Sequence, residues 1–204
     1  MLIIVDYGVG NLHSIQNMLK KAGVDSKISN QLQEITSASK ILLPGMGAFD
    51  NCMEKLEASG LRPIVEQKAI REKVPVLGIC VGLQMFMESS EEGRLPGLSW
   101  IKGSTIRFRP EKMQDNQKIP NMGWHEITPK KPSRLLQNLE DSRFYFAHSY
   151  HVQPLETADI LMTALYGYEF TVGIERDNLV GVQFHPEKSH RFGMQLLKNF
   201  GENY

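Results

Sequence analysis

The chain has 204 residues, and 23 Lys and Arg balance 23 Asp and Glu, so its formal net charge is zero. That balance excludes a nucleic-acid or other polyanion surface built on global charge. A content of 41% hydrophobic and 23% charged residues fits a folded domain rather than a disordered chain.

Leu2–Val5 is an apolar run of the kind found in a strand covered on both faces. It reads as a strand rather than a signal peptide, because no basic region precedes it. Leu12, Ile15, Leu19 and Ala22 recur at helical spacing, with Lys20 and Lys21 in the last turn and Gly23 as the left-handed cap. A weaker strand follows near Val24–Ile28, then a strong one at Ile41–Leu43. Phe49, Met53 and Leu56 mark a helix that Gly60 ends. Val76–Ile79 is a third apolar strand, and Leu83, Phe86 and Met87 place a helix after it. Strands alternating with helices predict a parallel sheet with right-handed crossovers.

The second half changes character. Short strands are expected at Trp100–Phe108, Trp124–Thr128, Phe144–Ala147, Ile160–Thr163, Phe170–Glu175 and Val180–Phe184, with a hairpin turn at Asp177-Asn178. Glu111–Lys118 reads as a polar surface loop. Phe192, Leu196 and Phe200 close the chain with an amphipathic helix. No linker or repeat divides residues 1–204. The expected fold is one α/β domain: an open, mostly parallel or mixed sheet flanked by helices, with antiparallel additions in the second half.

The two cysteines, Cys52 and Cys80, make neither a disulfide framework nor a zinc pattern. No apolar run approaches the ~20 residues of a membrane span. A reduced, cytoplasmic protein is expected. Cys52 reads as a buried helix residue. Cys80 lies in Gly78-Ile79-Cys80-Val81-Gly82, a G-x-nucleophile-x-G elbow with cysteine in the serine position. A sharp strand-to-helix turn exposes such a nucleophile, and the helix N-terminus favours its thiolate.

His185 ends a strand and precedes Pro186 and Glu187. Proline pushes the residue before it to extended geometry. Positions two apart in extended chain face one side, so Glu187 can fix the imidazole while its other nitrogen faces Cys80. The pair His148 and His151, three apart, would lie on opposite faces of a strand, which argues against a metal site. Pro44-Gly45-Met46-Gly47-Ala48 follows a strand, and its glycines let backbone N–H groups aim at an oxyanion. Gly8-Val9-Gly10 lacks the third glycine and the phosphate-binding lysine of a nucleotide loop.

These separated motifs resemble the class I, triad-type glutamine amidotransferases. Val5–Leu12, Pro120-Asn121-Met122-Gly123-Trp124 and Gln183–Ser189 narrow the resemblance to glutaminase subunits of imidazole glycerol phosphate synthases. It covers essentially the whole chain. It implies Cys80 as nucleophile on L-glutamine, His185 as acid and base, and Glu187 as its orienter. It implies Gly45, Met46, Gly47 and Val81 around the oxyanion, in a strand that turns over before its N–H points correctly. It implies Gln84, Glu92, Ser149 and Tyr150 as substrate contacts, with Glu92 on the ammonium. Asn11, Met122, Trp124 and Lys188 match interface or gate positions toward a (β/α)8-barrel cyclase that receives the ammonia as heterodimer partner. No cofactor motif remains.

Ser189-His190-Arg191-Phe192-Gly193 is bulkier and more basic than the small-residue stretch expected in histidine-pathway members. The alternative reading is a paralogue that feeds a sugar-amidating synthase for surface polysaccharide, with unchanged catalytic chemistry. A γ-glutamyl hydrolase or cysteine peptidase, and a non-catalytic binding module, are further alternatives. The glutamine-contact positions argue against the first two, and the complete Cys-His-Glu set against the last.

Overall fold

A computed structural model describes residues 1–204. The strands are β1 (Leu2–Val5), β2 (Ser26–Ser29), β3 (Lys40–Gly45), β4 (Val76–Cys80), β5 (Ser89–Ser90), β6 (Gly103–Arg107), β7 (Asn121–Glu126), β8 (Thr128–Pro129), β9 (Arg143–His148), β10 (Tyr150–Pro154), β11 (Ile160–Tyr166), β12 (Tyr168–Arg176) and β13 (Leu179–Val182). The α-helices are α1 (Leu12–Lys21), α2 (Leu32–Thr36), α3 (Phe49–Ala58), α4 (Arg62–Glu66), α5 (Val81–Gln84) and α6 (His190–Asn203). No helix is long and apolar enough to cross a membrane.

Eight strands form the central sheet in the order β2-β1-β3-β4-β13-β12-β11-β8. The first five run parallel, and β12, β11 and β8 add on antiparallel. Every residue of β1, β4 and β13 is buried, as their unbroken apolar sequences require of strands covered on both faces. A three-stranded sheet (β10-β6-β5) and a β7–β9 ribbon lie beyond the main sheet. One continuous cluster of 52 buried apolar residues links all of it. The expected mixed sheet and its antiparallel second half are present.

The first half follows its periodicity closely. In α1 the spacing buries Ile15 and Leu19, and Gly23 ends the helix at φ +79°. The helix after β4 is shorter than Leu83, Phe86 and Met87 suggest: it stops at Gln84. The carbonyls of Met85, Phe86 and Met87 instead accept N–H groups of Leu98, Trp100 and Ser99, at 2.7, 2.9 and 3.2 Å. Those side chains are buried by a returning loop rather than by a helix face. The same loop places Trp100 and Ile101 outside β6, which starts only at Gly103.

β10 and the helical segment over residues 62–71 go unsignalled in the sequence. β10 carries His151, Gln153 and Pro154, which blur its alternation. Arg62–Arg71 passes from α into π turns, so its apolar residues keep no single period.

Candidate active site

Cys80 ends β4 and begins α5, with φ +55° and ψ −114°. A left-handed φ is strained for a residue with a side chain, and here packing enforces it. Gly45 pairs with Cys80 across β3 and β4. A Cβ on Gly82 would lie 2.0 Å from the Leu43 carbonyl oxygen, and one on Gly78 would lie 2.8 Å from Phe86. The elbow therefore closes only with glycine on each side. It places the sulfur at the carboxyl end of the parallel strands, where open α/β sheets bind ligands.

His185 follows β13, the parallel neighbour of β4. Its Nδ1 is 2.8 Å from Glu187 Oε1, and both side chains are buried. The contact is made differently from the extended-chain expectation. Pro186–Lys188 is a 3₁₀ turn, and the Lys188 N–H donates to the His185 carbonyl at 3.0 Å. Proline at the first position of that turn curls Glu187 back under the ring. Burial alone would push His185 toward the neutral form. Its contacts with Cys80 and Glu187 outweigh this and raise its pKa to about 10. The geometry thus favours an imidazolium at His185, set between the Cys80 sulfur and the Glu187 carboxylate.

Cys80 and His185 open onto a cleft of about 80 Å³. Met46, Gly47, Val81, Gln84, Glu92, Ala147, His148, Ser149 and Tyr150 complete its wall. The nucleophile and base candidates, most oxyanion candidates and all four substrate candidates therefore meet in one place. Gly45 lies just behind, in β3. Gly47 has φ +89° with nothing near its missing side chain, so this turn is free for glycine alone. A larger open groove of about 680 Å³, at the amino ends of β4 and β13, contains none of the expected site residues. Chemistry, not size, selects the smaller cleft.

Glu92 Oε2 accepts the Phe49 N–H at 2.9 Å, which sets the carboxylate at the start of α3. Burial raises its pKa, and the Phe49 bond partly offsets that. Gln84 turns inward: its Nε2 donates to the Tyr150 carbonyl and to Gln183 Oε1, each at 3.1 Å. Cys52 is buried in α3, where its thiol donates to the Met46 carbonyl at 3.5 Å and burial pushes its pKa up.

The opposite-face expectation for His148 and His151 fails. Ser149 breaks the chain between β9 and β10, so the two histidines belong to different strands. Both rings pack on Phe108, with centroids 5.2 and 5.0 Å away.

The interface candidates lie beside the cleft. β7 pairs with β9 so that Met122 faces Ala147 and Trp124 faces Tyr145. Met122 is 63% and Trp124 38% exposed. The Lys188 ammonium sits 5.8 Å above the Tyr145 ring. Asn11 flanks the start of α1, and α1 packs against the Pro186–Lys188 turn. Sequence reasoning missed Gln183, fully buried against Cys80; its only signal is a glutamine in an otherwise apolar strand end.

An elbow cysteine, a carboxylate-backed histidine and a glycine turn on this sheet define a glutamine amidotransferase. Residues 3–203 match the family model for glutamine amidotransferase class-I, and the chain belongs to that family. It is 46% identical over 203 residues to imidazole glycerol phosphate synthase subunit HisH 2 of Pseudomonas aeruginosa, covering 99% of each chain. It is 48% identical over 201 residues to the subunit of the same name from Methanococcus maripaludis, covering 98% of each. Its fold is similar to that of PurLQS from Thermotoga maritima (TM-score 0.72, 15% identity, 100% of this chain and 97% of that one).

Proposed function

We propose that this chain is the glutaminase subunit of an imidazole glycerol phosphate synthase, supplying ammonia for histidine biosynthesis in the cytoplasm. The observation that carries the chemistry is the strained Cys80 sharing one cleft with the His185–Glu187 pair. The full-length similarity to HisH subunits supports the pathway.

Cys80 Sγ attacks the side-chain amide carbon of glutamine. Backbone N–H groups around Gly45–Gly47 and Val81 receive the oxyanion, each such donor being worth about 3 kcal/mol. The C–N bond breaks as the His185 imidazolium gives its proton to the leaving ammonia, which leaves a γ-glutamyl thioester. His185, now neutral, takes a proton from water as the water attacks, and glutamate departs. Glu187 holds the ring throughout without accepting a proton. Glu92 receives the substrate ammonium, Ser149 and Tyr150 its carboxylate, and Gln84 lines the same wall. The face carrying Asn11, Met122, Trp124 and Lys188 docks a (β/α)8-barrel cyclase, whose side away from its own active site is available for docking. Partner and acceptor ligand together shift the Gly45–Gly47 strand toward its catalytic arrangement.

The test is glutamate release from glutamine by the subunit alone, with the histidine-pathway cyclase of the same source, and with that cyclase plus its nucleotide substrate. Strong stimulation in the third condition, abolished by Cys80→Ala, is the expected result. Equal rates in all three would overturn the coupling. Silence in all three would point to a different synthase as partner.

A further inference from the structure

One polar group lies against the nucleophile and has no part in the steps above. Gln183 follows β13, is fully buried, and has its Nε2 3.7 Å from Cys80 Sγ. Shape alone does not distinguish the two ends of a side-chain amide, but the bonding here does. The Tyr150 carbonyl can only accept, so the end of Gln84 that approaches it at 3.1 Å is the NH₂. That same Nε2 is 3.1 Å from Gln183, which must present its oxygen. The nitrogen of Gln183 is thereby turned toward the sulfur. A second donor nitrogen, His148 Nδ1, lies 2.8 Å from the Tyr150 carbonyl and occupies its remaining lone pair.

We propose that Gln183 is a positioning residue for the nucleophile, donating an N–H to the Cys80 sulfur in a direction imposed by the Tyr150 carbonyl through Gln84. The proposal rests on the reading of Cys80 as the nucleophile. A donor at the sulfur favours the charged thiolate over the thiol. It also restrains the sulfur from a second side, so that His185 alone does not determine its direction of attack. The series has a further consequence for the substrate. The backbone at Tyr150, expected to hold one end of glutamine, is tied through two buried side chains to the atom that attacks the other end.

The test follows alkylation of Cys80 by iodoacetamide against pH, read on the Cys80 peptide by mass spectrometry, with steady-state kcat and KM for glutamine on the cyclase-bound enzyme. The other titratable groups that act on this sulfur or its neighbours are His185 with Glu187 behind it, His148 at the end of β9, Tyr7 from the loop after β1, Cys52 on α3 and Glu92 across the cleft. All of them are retained in the variants. Gln183→Met keeps the length and removes the donor. Half-maximal alkylation should then move up by about one pH unit, a tenfold loss of thiolate below the midpoint. The value of kcat should fall with it, while KM stays near wild type. Gln183→Glu should move the midpoint further, because a carboxylate repels the thiolate. Gln84→Met, which frees the Gln183 amide to turn, should give a smaller shift of the same sign.

An unchanged midpoint in folded Gln183→Met overturns the proposal. If that variant does not fold, an unchanged midpoint in Gln84→Met does so. Loss of the underlying reading would look different, as glutaminase activity surviving Cys80→Ala.

Discussion

Glu187 has two buried carboxylate oxygens, and only one finds a partner. Oε1 meets the His185 ring at 2.8 Å, while Oε2 is buried without a hydrogen bond. Leaving a buried acceptor unpaired costs about 1–3 kcal/mol, and more for a charged group. In the proposed mechanism this cost is offset by what the carboxylate does in holding the His185 ring. Glu187→Gln keeps the size and still offers one oxygen to Nδ1–H, but it removes the charge. We expect kcat to fall by about 10²–10⁴-fold, the range of a disabled acid–base group. KM should change little, since Glu187 does not line the cleft. The melting temperature should fall near neutral pH, because the variant leaves the buried His185 imidazolium without its charged partner. Steady-state kinetics with the partner present, beside a thermal melt, separates these outcomes. A proportional loss in KM would place Glu187 in substrate binding instead.

At the scale of elements, the corner between β9 and β10 carries the acid limb of the pH dependence of stability. Burial lowers the pKa of His148 to about 3 and that of His151 to about 4, from an ordinary 6.5. Both are neutral in the fold and must be charged on acid unfolding. For a depressed histidine the unfolded chain binds more protons, so the stabilisation is present above pH 6.5 and is lost as pH falls toward 4. Each contributes a loss of about 2 kcal/mol by pH 5. His185 has the opposite sign. Its pKa is raised to about 10, so its stabilisation is complete below pH 6.5 and is lost as pH rises toward 10. Thermal melts across pH should therefore show a maximum near neutrality with two limbs of different origin. His151 is surrounded by Phe108, Tyr168 and Phe170, with ring centroids 5.0–5.9 Å away, so His151→Phe suits the aromatic packing and gives up the Nε2 contact with the Tyr168 hydroxyl, 3.1 Å. That variant should flatten the acid limb and leave the alkaline limb in place. An acid limb of unchanged depth would mean that His151 is not held neutral.

At the scale of the molecule, the sequence made legible whatever depends on local pattern. Apolar runs separated by helical periods give the parallel half-sheet, and Gly78-Ile79-Cys80-Val81-Gly82 gives the elbow, because steric exclusion at Gly82 leaves no other residue type. His185 and Glu187 were readable as a pair although the turn joining them was not, since Pro186 permits both an extended and a 3₁₀ exit. Gln183 and the His148–Phe108–His151 contact were not readable. Their partners come from strands and loops far apart in the chain, and nothing in a two- or three-residue spacing encodes that meeting. The proposed docking face lies between these cases: Met122 and Trp124 alternate on β7 as strand residues do, but only the fold shows which side is left open. There Trp124 stacks on His190 at 5.4 Å with the planes 5° apart, and the Arg143 guanidinium lies 6.0 Å from its ring. A half-exposed tryptophan held rigid by an imidazole and a guanidinium has little side-chain freedom left to lose on binding, which is the character of an interface anchor. Trp124→Ala should raise Kd for the cyclase by about 30-fold or more, the effect of losing roughly 2 kcal/mol at an anchor. Ile70→Ala is the matched control: it is 39% exposed, like Trp124, but lines the groove at the amino ends of the strands. Isothermal titration with the cyclase should show wild-type affinity for the control. Equal losses in both variants would mean that Trp124 acts through folding, and no loss in either would place the partner on another face.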